Sequence, residues 1–116
     1  MNHEYSQTIS EIGAALQPLG FAVIRDDNFL YVLENSGKVV VLEGEPYVRG
    51  AFNLSVTSGW PQVPEKMFCV RLLMKVFGDE ARPSLKNQLK FLTSHMAILF
   101  DHPESYEAQY RYLNGG

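Results

Sequence analysis

Cysteine occurs once in the 116 residues, at Cys69. An internal disulfide is therefore excluded, and with it the small stapled secreted scaffold; a reducing compartment suits such a chain. Long apolar runs are missing too. The richest, Met67 to Phe77, carries Arg71 and Lys75 within it and falls well short of the ~20 apolar residues that span a bilayer. The first residues, Met1-Asn2-His3-Glu4-Tyr5-Ser6-Gln7, are polar and lead into no apolar stretch, so no signal peptide is expected. A cytoplasmic location and no membrane partner follow as expectations. Excess charge of one sign is absent: 10 Lys+Arg face 13 Asp+Glu, net −3, which gives no general attraction to nucleic acid.

The usual chemical signatures are also missing. Gly44, Gly50 and Gly59 lack phosphate-loop spacing, and there is no Gly-Lys-Ser/Thr, Gly-x-Ser-x-Gly or His-Glu-x-x-His. The paired acids Asp26-Asp27 and Glu43-Gly44-Glu45 read as solvated turn residues. His95 and His102 with Asp101 supply too few convergent ligands for a metal. Cys69, among Phe68, Val70 and Leu72, reads as a small buried hydrophobe without thiolate character. The expectation is no catalytic set, no metal and no cofactor.

What is present describes a globular chain. Hydrophobic residues make up 46% and charged residues 20%, and the length suits a single domain over residues 1–116. Tyr5, Ile9, Ile12, Leu16 and Leu19 step by four and three, the stripe of an amphipathic helix that Pro18 and Gly20 stop near residue 17. The period then changes. Phe21–Ile24, Phe29–Leu33 and Val39–Leu42, separated by Asp26-Asp27-Asn28 and Asn35-Ser36-Gly37, predict an antiparallel meander. Residues 51–57 alternate, with Phe52, Leu54 and Val56 inward and Asn53, Ser55 and Thr57 toward water.

Pro64 opens a second helix running to Phe77, with Gly78 as its stop and apolar side chains almost all round. Pro83-Ser84 opens a third, whose stripe is Leu85, Leu89, Leu92, Met96 and Leu99, ending near Asp101. Asp101-His102-Pro103-Glu104 has capping-box spacing for a short last helix carrying Tyr106, Tyr110 and Leu113. The fold class is α+β: a helix, a four-stranded antiparallel meander, then two or three C-terminal helices. In element order alone, the first half resembles the opening of the small acidic chaperones of type III secretion, while the second half has helices where those return to strands. In size and acidity the chain is similar to bacterial toxin-neutralising immunity proteins. Both resemblances imply work by protein contact.

Two features bear on function. The first is apolar surplus: each of the three early strands is apolar on both faces, more than a strand with one wet face needs. That predicts a second copy of the chain, a homodimer, or another protein as partner. Trp60, Tyr31, Tyr47, Tyr106, Tyr110 and Tyr112 are the candidate contact residues; Trp60 equally suits a lid folded onto the core. The second is charge asymmetry. Residues 1–58 hold seven acids and three bases, net −4; residues 59–116 hold six acids and seven bases, net +1. Arg71 and Lys75, Lys86 and Lys90 are each four apart and share helix faces, with Arg82 between the pairs. They form either the solvent side of two helices or, as the alternative, an anion site between the sheet and the second and third helices, with His95 as acid/base.

Overall fold

The computed structural model describes residues 1, 3–58 and 66–115. Trp60 and the proposed helix start at Pro64 lie outside the described residues.

A short 3-10 turn, His3–Tyr5, leads into α1, Ser6–Leu16. Of the predicted stripe, Tyr5, Ile12 and Leu16 are fully buried and Ile9 partly so, while Leu19 falls beyond the helix and is 46% exposed. Gln17–Leu19 forms a second 3-10 turn, and Gly20 closes it with φ of 96° and an N–H donated to Gln17 O. Four strands follow as the meander: β1 Ala22–Asp26, β2 Leu30–Asn35, β3 Lys38–Gly44 and β4 Phe52–Thr57. Asn35 pairs with Lys38 around a two-residue turn, and both central residues, Ser36 and Gly37, have positive φ. Such a turn matches the twist of the strands it joins.

A fifth strand, β5 Phe68–Cys69, pairs antiparallel with β4, giving the order β1-β2-β3-β4-β5. This corrects the sequence reading, which placed Phe68 and Cys69 in a helix. That helix, α2, covers only Val70–Val76. Gly78 stops it as expected: its N–H reaches Lys75 O at 3.1 Å and the Asp79 N–H reaches Met74 O at 2.8 Å, satisfying carbonyls that the helix end leaves free. The third helix is also corrected, into α3 Leu85–Ser94 and α4 Met96–Asp101, with His95 at the break. Ser84 caps α3, its hydroxyl accepting the Asn87 N–H at 3.2 Å. Asp101 makes no capping box. Pro103–Ser105 is a 3-10 turn, and α5 spans Glu107–Leu113.

Alternation sorts the sheet into two faces. Tyr31, Leu33, Val40, Leu42, Leu54, Val56 and Phe68 pair across neighbouring strands on one face and join α1 and the C-terminal helices in the main core. Val32, Val39 and Val41 stand on the other face as a second buried cluster, with Leu30 and Met67 packed against it. Ser55 and Thr57, expected to face water, are each 3% exposed on that side.

The apolar surplus thus resolves unequally. In β2 and β3 both faces are buried within the chain. In β1 all five residues are exposed, with Val23 at 40% and Ile24 at 50%, and among the described residues only β2 lies beside it. Among the described residues no helix is long and apolar enough to cross a membrane.

Candidate functional site

The tyrosines divide sharply. Tyr31, Tyr106 and Tyr110 are buried in the core. The Tyr106 hydroxyl donates to Leu99 O at 2.6 Å, and the Tyr110 hydroxyl accepts the Cys69 N–H at 2.7 Å. Both rings meet Phe68 edge-on, with centroids 5.1 and 5.0 Å away. Burial pushes all three hydroxyls up from the ordinary 10; at Tyr106 the carboxylates of Glu107 and Glu104 add to it. These three rings bind the chain to itself. Tyr47 and Tyr112, at 92% and 76% exposed, remain available for contact.

A fourth buried tyrosine escaped the sequence reading. The Tyr5 hydroxyl donates to Ala51 O at 2.8 Å and accepts the Glu45 N–H at 3.1 Å, so one side chain clasps both ends of the loop between β3 and β4. Its only sequence signal was membership of the α1 stripe.

Cys69 is half-buried in β5, not sealed in a helix. Its thiol lies 2.9 Å from Asn53 Oδ1, and Asn53 Nδ2 donates to Ser55 Oγ at 3.3 Å. His95 packs into the helical layer: Nδ1 lies 2.8 Å from Phe91 O, and its ring stacks on Phe91 and meets Phe77 edge-on. His102 sits at the α4 end, Nδ1 3.3 Å from Glu104 Oε1 on the surface. Among the described residues no three of His, Cys, Asp and Glu gather as metal ligands.

The basic residues divide between two grooves. Arg71, Lys75 and Arg82 line an open groove of about 460 Å³ where α2 turns toward α3. Met74 and Pro83 supply apolar wall, and Asp79 and Glu80 stand on the same rim. Lys86 and Lys90 line a separate groove of about 380 Å³ between α3 and α1, with Glu11 opposite. Arg71 also borders a further groove, of about 410 Å³, with Glu43, Gly44, Glu45, Phe52 and Asn53 at the ends of β3 and β4.

The β1 edge is the other candidate. Its outer row of backbone groups has no strand beside it among the described residues, and the apolar side chains of Val23 and Ile24 are 40% and 50% exposed on that strand. The register shifts between Val23 and Arg25, so Ile24 is a bulge residue. Arg25 pairs with Asp27 at 2.6 Å, and the N-terminal ammonium of Met1 pairs with Asp26. Bulges and charges are how exposed edges avoid indiscriminate pairing.

In comparisons with known proteins, no family model, no curated protein and no solved structure matches this chain.

Proposed function

We propose that this protein works by protein–protein contact rather than by catalysis, and that the contact is made by β1 pairing with β1 of a second copy. The observation that carries the reading is the open edge: five consecutive exposed strand residues with Val23 and Ile24 uncovered. Adding a strand at an exposed edge gives main-chain hydrogen bonds for affinity and side-chain packing for selection. The other sheet margin, β5, is only two residues long and offers little to pair with.

A two-fold axis through Ile24 sets Arg25 against Val23 and Asp26 against Ala22, so no like charges oppose each other and the apolar pair is covered. Such an isologous contact closes on itself as a dimer. The exposed Tyr47 and Tyr112 lie outside this strand and serve any further partner, as an adaptor, chaperone-like or immunity-like protein would require.

Light scattering on the full chain over a concentration series tests this reading. A mass rising to twice 13.1 kDa, and returning to the single value in Ile24→Lys, supports it. Ile24 is half exposed, so the lysine leaves the monomer folded. A mass of one chain at every concentration, or a dimer that Ile24→Lys leaves intact, overturns it.

A further inference from the structure

Among the described residues, four of the ten bases have a carboxylate partner: Arg25 with Asp27, Arg49 with Glu4, and Lys66 and Arg111 with Glu107. Arg71, Lys75 and Arg82 make no ion pair among the described residues, although they line a single groove that Asp79 and Glu80 also border. Asp79 Oδ1 accepts the Ala81 N–H at 2.9 Å and closes the turn after α2, and three bases against two acids leave the groove one positive charge in excess. Lys75, in the last turn of α2, has a local reason to be there, because a cation is favoured at a helix C-terminus. Arg71 begins the same helix and Arg82 sits in the link beyond it, so that reason covers neither.

Three bases against the two acids of the rim leave a net positive groove, and a bound anion offsets that excess. Guanidinium groups suit the purpose because each offers a planar fork of donors that matches a carboxylate or phosphate. Arg71 and Arg82 come from different elements and can engage two sides of one ligand. Met74 and Pro83 in the wall favour a ligand with an apolar body, and a volume of about 460 Å³ falls in the small-molecule range.

We infer that the groove between α2 and α3 is a binding site for a small anion bearing carboxylate or phosphate groups on a short apolar body, held by Arg71 and Arg82 with Lys75 in support. None of the groove's lining residues belongs to β1, so the site stands whether or not the chain dimerises.

The test is calorimetric titration of the full chain, at fixed ionic strength, with inorganic phosphate in one arm and the dicarboxylates succinate, glutarate and adipate in the other. Saturable binding in at least one arm is expected, weakened about tenfold or more by Arg71→Ala and by Arg82→Ala, which is ~1.4 kcal/mol each. Lys90→Ala, in the other groove, leaves it unchanged. Amide chemical-shift mapping on the unaltered protein supplies a second readout: perturbations centre on residues 71–83. The arm that saturates identifies phosphate or carboxylate as the recognised group. No saturation in either arm, an affinity that Arg71→Ala and Arg82→Ala both leave at the unaltered protein's value, or perturbations spread over the surface would each overturn the assignment.

Discussion

The Tyr5 ring lies so close over Gly44 that a β-carbon on residue 44 would stand 2.7 Å from Tyr5 Cζ and Oη. The contact joins the turn before α1 to the end of β3 and explains a glycine that otherwise reads only as a strand breaker. Gly44→Ala should therefore destabilise the chain by ~1–3 kcal/mol through overpacking. In a Tyr5→Ala background the same alanine should cost far less, and urea unfolding of the four-variant cycle measures the difference.

Tyr110 fastens the last helix to the fifth strand through its hydroxyl. Tyr110→Phe keeps the ring against Phe68 but leaves the Cys69 N–H without its acceptor, a loss of ~1–3 kcal/mol for a buried donor. Chemical denaturation gives the size. Native-state hydrogen exchange should show the Cys69 amide losing protection first.

The turn between β2 and β3 carries a correctable strain. Ser36 has φ of 51°, a left-handed conformation that asparagine tolerates better, and Asn-Gly is the favoured pair in this turn. Ser36→Asn should raise stability by ~0.5–1 kcal/mol, read as a higher denaturation midpoint with an unchanged slope. An unchanged or lower midpoint would contradict this account of the turn.

Stability should fall at both ends of the pH scale, for opposite reasons. Hydrogen bonds from Lys66 and then Arg111 hold the Glu107 carboxyl below its usual 4.5, so its contribution is present above about pH 4.5 and is lost as pH falls through the lowered value. Burial raises Tyr106, Tyr110 and Tyr31 above 10. Their contribution is intact below about pH 10 and disappears as pH rises through the folded values. Glu107→Gln should flatten the acid limb alone, as followed by melting temperature against pH.

Much of this fold was legible in the chain. The step of four and three placed α1, the turn at Asn35-Ser36-Gly37 placed the β2–β3 hairpin, and Ser84 and Gly78 punctuated α3 and α2. What escaped has physical causes. Phe68 and Cys69 sit in an unbroken apolar run, where periodicity cannot tell a buried strand from a buried helix. The α3–α4 break at His95 falls inside a stripe that continues through it, and depends on His95 turning back onto Phe91. Ser55 and Thr57 look wet in sequence yet are covered. Val23 and Ile24 look like core, and only the order of strands in the sheet reveals that, among the described residues, β1 has a strand on one side alone. The basic pairs were visible, but only the turn after α2 decides that Arg82 joins Arg71 rather than Lys86.

The central claim is that β1 is the face this protein presents to another copy. Hydrogen–deuterium exchange of the Ala22–Asp26 amides, at low and at high protein concentration, tests it most directly. The account predicts that amides in this strand not already bonded to β2 become protected as concentration rises, and that Ile24→Lys abolishes the change. Exchange at one fast rate across the whole concentration range, with protection appearing elsewhere or nowhere, would contradict it.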